Sequence, residues 1–261
     1  MGWPRPAGGF FLKWDQTFIS ANRYFDNGGS LREMARLNSF NSSAYAELGL
    51  TDRLTLVSYL PLLLVQGGDA RVYGTDQVPP PRNRMSNGGM GDLDLGLRYC
   101  LNPGRPLVVS LVATTGLPTG EDSHPAGLLT GDGELNQYLG GAAGWGLRRG
   151  WLALGTGINL RTCGFSDEWR LQLEGGYKTQ SDRLFVASKL VVVQSLGNGS
   201  LPTDRLLFAN NTAYVSPQLE LTWILRSGLG LVYRAAGAVS ARNIQAAPSH
   251  SFGLAWQGRR R

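Results

Sequence analysis

Strict period-two alternation, recurring in stretches of about ten residues, most narrows what this chain can fold into. Leu93, Leu95, Leu97, Tyr99 and Leu101 alternate with Asp92, Asp94, Gly96, Arg98 and Cys100. Successive strand side chains point to opposite faces, so such a segment has one apolar and one polar face. Residues 169–178 repeat the pattern, with Trp169, Leu171, Leu173 and Tyr177 against Arg170, Gln172, Glu174 and Lys178, and so do 215–225 and 251–257. The longest apolar runs, 60–65 and 190–193, fall far short of the roughly 18 to 20 residues a membrane-spanning helix needs. Helical periodicity is nearly absent, and 36 glycines punctuate the segments with Arg, Asn and Asp, as many strands joined by turns require.

These segments predict about 12 strands, an even number as bacterial barrels require. They fall near 10–22, 40–50, 54–66, 91–101, 106–117, 134–147, 151–163, 168–179, 184–196, 206–225, 229–241 and 249–257. The connections at one end are tight and polar: 51–53, 102–105, 148–150, 181–182 and 226–228. Those at the other end are longer (23–39, 67–90, 118–133, 197–205 and 242–248), with only 164–167 short. The expectation is an all-β, antiparallel up-and-down transmembrane β-barrel forming a single domain over 1–261, with short turns and both termini on the periplasmic side.

Two hairpins can be tested for register. A three-residue loop at 226–228 with Gly228 in the left-handed position sets Leu225 against Leu229, Trp223 against Leu231 and Glu220 against Arg234. A two-residue turn at Ser181 and Asp182 sets Glu174 opposite Lys189. Around Arg149 the symmetric register would put Leu152, Leu154, Ile158 and Leu160 on an inner face among glycines, so a shifted register is expected there.

Tyr99, Trp145, Trp151, Tyr177, Trp223, Tyr233 and Trp256 fall within a few residues of a predicted turn or of the C-terminal strand's end. They read as an interfacial aromatic girdle. A soluble sandwich or lipocalin-like barrel is the alternative, with the same apolar face turned inward. In the membrane form the inner wall carries Lys13, Asp15, Asp92, Asp94, Arg98, Arg170, Glu174, Lys178, Lys189, Glu220 and Arg234, a mixed-charge lining for small solutes or a set of pairs that fills the interior. Glycine-rich 140–146 lacks the lysine of a phosphate loop and reads as strand positions allowing close backbone approach.

The formal charge of +6 is scattered singly except at 148–149 and 259–261, which argues against a nucleic-acid partner. Cys100 and Cys163 have no metal-ligand spacing, and as predicted they lie at opposite ends of the barrel. Glu121, Asp122, Asp132 and Glu134 match no defined calcium loop and read as a solvated loop; no metal or cofactor is expected. Outer-membrane placement requires a secretory signal, yet Met1, Gly2, Trp3 and Pro4 lead straight into the first strand. Either the chain is in its mature form or the placement fails.

Three stretches carry a family resemblance. They are 47–56, Glu-Leu-Gly-Leu-Thr-Asp-Arg-Leu-Thr-Leu, followed by Leu60 and Pro61; 89–99, Gly-Met-Gly-Asp-Leu-Asp-Leu-Gly-Leu-Arg-Tyr; and 115–121, Thr-Gly-Leu-Pro-Thr-Gly-Glu, with Thr130 and Gly131. The chain resembles the MetA-pathway of phenol degradation family of outer-membrane barrels, described as transporter-like, over most of its length. The resemblance implies barrel architecture and a channel or porin-like role for small solutes, aromatic compounds among them. Outer-membrane lipid, lipopolysaccharide and a small-molecule solute are the expected partners. Two other functions stay open. One is a closed structural or adhesion barrel. The other is a lipid or lipopolysaccharide hydrolase using His124 beside Ser123, or His250 between Ser249 and Ser251, in the outer loops; no catalytic set is assigned.

Overall fold

Because every polar backbone group in a membrane must be satisfied within the protein, alternation of this kind is useful there only if the sheet has no edge. The chain meets that condition. A computed structural model describes residues 2–68, 85–203, 207–226 and 228–259. Its strands are β1 (Gly9–Phe25), β2 (Leu31–Gly49), β3 (Leu54–Gly68), β4 (Met85–Gly89), β5 (Leu93–Cys100), β6 (Leu107–Leu117), β7 (Asn136–Leu147), β8 (Gly150–Arg161), β9 (Glu168–Lys178), β10 (Leu184–Ser195), β11 (Ala213–Arg226), β12 (Leu229–Ala236), β13 (Ser240–Arg242), β14 (Ile244–Gln245) and β15 (Ser249–Arg259). All pairings are antiparallel, β15 pairs back onto β1, and β10 pairs with β11, so the sheet is a closed 12-strand barrel. β4 and β5 make one wall position against β3, and the short β13 and β14 extend the wall beside β11 and β1.

The apolar face is outside. Leu95, Leu97, Leu111, Leu154, Leu173 and Leu231 are all exposed, while their strand neighbours Asp94, Arg98, Gln172 and Glu174 line the interior. The soluble alternative required the opposite. A wall of exposed leucines, each burying about 1.5 to 3 kcal/mol worth of side chain if removed from water, suits a lipid surround.

Register follows the turns. Glu220 pairs with Arg234 and Trp223 with Leu231, and Gly228 has φ of +80°. Leu225 does not face Leu229, because a bulge between Ile224 and Arg226 brings Arg226 opposite Leu229 instead. Lys189 pairs with Glu174. Around Arg149 the register is shifted by one: Trp145 pairs with Leu152 and Ala143 with Leu154, so the leucines point outward across a two-residue Arg148 and Arg149 turn.

The long-loop end departs further from expectation. Residues 23–39 are mostly a ribbon in which β1 and β2 run on to a turn where the Asp26 carboxylate accepts hydrogen bonds from the Gly28 and Ser30 amides. Above a membrane neither ribbon face meets lipid: Leu37 is buried against Leu128 and Leu207 while Arg32, Glu33 and Arg36 are exposed, so the alternation that marks a wall strand disappears. The segment predicted as one strand over 229–241 breaks after Ala236, and β11 starts at Ala213 and not at 206. Phe208 and Asn211 have φ of 52° and 55°, incompatible with extended chain. Residues 69–84 of the predicted 67–90 loop, residues 204–206, Ser227 and residues 260–261 lie outside the described residues.

Candidate functional site

The interior holds a cavity of about 1520 Å³ running most of the barrel's length. Of the side chains expected on the inner wall, Lys13, Asp15, Asp92, Asp94, Arg98, Arg170, Glu174, Lys189, Glu220 and Arg234 line it. Lys178 does not. It sits at a turn, with Nζ 3.3 Å from Asp182 and 5.6 Å from the centroid of Phe185.

The lining charges form connected groups. On one wall Lys13 Nζ lies 2.8 Å from Glu220 and 3.2 Å from Asp15, and Arg234 lies 3.6 Å from Asp15. Glu220 and Arg234 are register partners, but both reach across β15 to a charge on β1, Glu220 past Arg234 itself. The intervening β15 permits this because it presents the small inward residues Ser251, Gly253 and Ala255. Across the lumen Glu174 accepts a 2.7 Å hydrogen bond from the Trp151 indole and lies 3.5 Å from Lys189.

Trp151 corrects the girdle. The one-residue register shift at Arg148 and Arg149 turns it inward, where its ring lies flat against Gly176, leaving no room for a Cβ there. Tyr99, Trp145, Tyr177, Trp223 and Trp256 are exposed on the outer face. Tyr233 is also outward, stacked on His250 and tilted against Phe252. The pairing of Phe18 with Phe40 adds outward aromatics that turn proximity did not flag. Inside, Phe11, Tyr45, Tyr59, Tyr138, Phe185 and Tyr214 join Trp151 on the cavity wall. Strand parity with Lys13, Glu47, Asp94 or Lys189 was the signal that would have found several of them.

At the turn end, residues 2–8 fold into the barrel and cross its inner face. Gly2 O accepts from Ser110 Oγ (2.6 Å), Trp3 O from Arg98 (2.7 Å), the Arg5 amide donates to Thr55 Oγ1 (2.9 Å), and the Ala7 amide donates to Asp52 (2.9 Å). The Trp3 ring occupies the space above Gly144. Beneath this strap Glu47 binds both Arg98 (2.6 Å) and Arg5 (2.5 Å), and Thr55, Cys100 and Ser110 are fully buried.

At the loop end, Leu37, Leu128 and Leu207 form a small core with Met34, Ala126 and Phe208, so three separate connections meet over the mouth. Asn243 ties in a fourth by donating to the carbonyls of Asn210 and Asn211 at 3.1 Å. Loop 118–135 is pinned to the wall. Asp92 accepts from the Gly120 and Asp132 amides (2.9 and 3.0 Å), and Arg161 on β8 binds Glu134, Asp132 (3.3 Å) and Glu168 (3.0 Å). Asp132 and Glu134 are therefore buried ligands of an arginine and not solvated loop acids. Burial pushes the Glu134 carboxyl up to about 8 against the opposing pull of Arg161, with Asp132 adding to the rise.

Among the described residues no cluster of three His, Cys, Asp or Glu side chains is arranged to hold a metal ion. Ser251 Oγ bonds Thr17 on the lumen side, while its neighbour His250 projects outward to Tyr233 (2.9 Å), so these two do not form a serine and base pair. His124 Nδ1 accepts from the Ala126 amide at 3.2 Å. Cys100 and Cys163 are both free thiols, one buried and one exposed.

No protein-family model matches the chain, and no curated protein matches it. Solved structures do. The chain is similar to a COG4313 outer membrane channel from Pseudomonas putida F1, with TM-score 0.70 and 16% identity over 98% of each chain. It is also similar to the NanC porin, with TM-score 0.56 and 7% identity over 94% of this chain and 98% of that one, and to the KdgM porin, with TM-score 0.53 and 5% identity over the same shares. At these identities the likeness is one of fold: the chain has the architecture of outer-membrane channel and porin barrels.

Proposed function

We propose that this protein is an outer-membrane channel for small solutes, with its tight turns and residues 2–8 on the periplasmic side and its packed loops outside. The carrying observation is a continuous polar and aromatic cavity inside a wall whose outer face is leucine-rich. The similarity in fold to channels and porins supports the same reading. Most charges lining the cavity occur as acid and base neighbours, so the lumen offers little net field to select one ion sign. Its tyrosines, Trp151, Phe11 and Phe185 offer flat apolar faces beside hydrogen-bonding groups. That mixture suits small amphipathic solutes, including the aromatic compounds implied by the resemblance of residues 47–56, 89–99 and 115–121 to the phenol-degradation barrel family.

The strap and the loop core narrow opposite ends, so conductance of the whole protein is expected to be small. Reconstitution in planar bilayers tests this. Wild type should give small, discrete channels, and removal of residues 2–6, which detaches Trp3 and Arg5 from the wall, should enlarge them several-fold. No channels from heat-modifiable, correctly folded protein in either form would overturn the proposal. Swelling of proteoliposomes in benzoate against a non-aromatic acid of similar size then tests the solute class.

A further inference from the structure

Among the described residues, the turn end of the wall carries an arc of arginines with few acids beside it. The turns joining β2 to β3, β5 to β6, β7 to β8 and β9 to β10 are consecutive around the barrel and carry Arg53, Arg105, Arg148, Arg149 and Arg183. Two turn acids oppose them. Asp182 holds Arg149 at 3.3 Å, and Asp52 is occupied by the Ala7 amide. Among the described residues Arg105, Arg148 and Arg183 are exposed and have no ion pair, and Arg53 makes a 3.5 Å hydrogen bond to the Leu101 carbonyl. With strands about 4.8 Å apart, such turns recur roughly every 10 Å along the rim. At the other end the ribbon tip compensates its own charge, with Arg32 bound to Asp26 at 2.8 Å.

Depth decides what this arc meets. Trp145 and Leu147 precede Arg148, and Leu107 follows Arg105, all exposed on the outer face. The arginine stems therefore start where the apolar band ends, at headgroup level, and guanidinium forks match phosphate oxygens in two-pronged fashion. We infer that this arc of turn arginines binds the anionic headgroups of phospholipid in the leaflet the turns touch, selecting phosphatidylglycerol from the surrounding lipid. A headgroup with a net negative charge has no ammonium of its own to compete with the arginines. That the leaflet is the periplasmic one rests on the orientation proposed above; the headgroup preference itself does not.

The test uses the full chain purified in detergent and mixed with equimolar phosphatidylglycerol and phosphatidylcholine of matched acyl chains, with retained lipid read by native mass spectrometry. Wild type should prefer phosphatidylglycerol by about fivefold or more, the scale of one arginine at an anionic surface. The triple variant Arg105→Gln, Arg148→Gln, Arg183→Gln should fall to parity. The triple variant Arg23→Gln, Arg36→Gln, Arg242→Gln, at the loop end, should keep the preference. Parity in wild type, survival of the preference in the first variant, or its loss in the second would overturn the inference. Should the first variant fail to fold, the single change Arg105→Gln must show a partial drop, and an unchanged ratio counts against the idea equally. Co-sedimentation with purified cell-wall sacculi that the first variant loses, with lipid retention at parity, would assign the arc to the wall polymer instead. Wild-type channels without a lipid preference would sink this inference alone, whereas a lipid preference without channels would sink the channel alone.

Discussion

Arg98 shows how much of the lumen's order rests on single side chains. It is buried between Glu47 at 2.6 Å and the Trp3 carbonyl at 2.7 Å, and removing one partner of a buried ion pair strands the other. Arg98→Met should destabilise the barrel by about 3 kcal/mol in urea unfolding, near the low end of such losses because Arg5 still reaches Glu47. Adding Glu47→Gln to it should recover part of the loss. A Cβ on Gly176 would collide with the Trp151 indole, so Gly176→Val should cost about 1 to 3 kcal/mol by overpacking and shift tryptophan fluorescence. Alternation alone placed Asp94, Arg98, Glu174 and Lys189 on one face. It could not place Trp151, because a turn of two residues and a turn of three send that ring to opposite faces, and both Arg148–Arg149 and Arg148–Gly150 are plausible turns by composition.

At the scale of elements, wall strands announce themselves because one face meets lipid and the other meets polar groups. The ribbon formed by the ends of β1 and β2 has no such contrast, and neither does loop 118–135. That loop's anchorage depends on pairings distant in sequence, since Arg161 on β8 gathers Glu134, Asp132 and Glu168. The Glu134 carboxyl is raised to about 8, above its value in an unfolded chain, so folding favours its protonated form. The stabilisation is present in full below about pH 4.5 and is lost as pH rises through about 8. Proteolysis within 118–135 should therefore accelerate between pH 6 and pH 9, and Glu134→Gln should flatten that dependence; equal rates across the range in wild type would contradict it.

For the whole molecule, which face of the sheet looks outward controls the response to charge. Leu173 lies mid-strand on β9, exposed between Leu154 and Leu190, whereas neighbouring Gln172 lines the cavity. Leu173→Arg should cost about 2 to 4 kcal/mol in refolding titrations into lipid. Gln172→Arg should leave stability within about 1 kcal/mol and shift the ion preference of the channels toward anions. Similar costs for the two substitutions would contradict a lipid-facing outer wall.

Alternation, turn chemistry and connection lengths by themselves pointed to an antiparallel barrel, its approximate strand number and most of the residues that share a face, because each of these depends on residues near one another in the chain; which face looks outward was decided by the structure, where the leucines are exposed. Tertiary structure alone decided that residues 2–8 strap the inner wall, that Leu37, Leu128 and Leu207 meet over the mouth, and that Lys13 pairs with Glu220 while Arg234 reaches Asp15. The longest of those contacts join residues more than 200 positions apart. Their partners are brought together only when the sheet closes, so no local pattern along the chain could specify them.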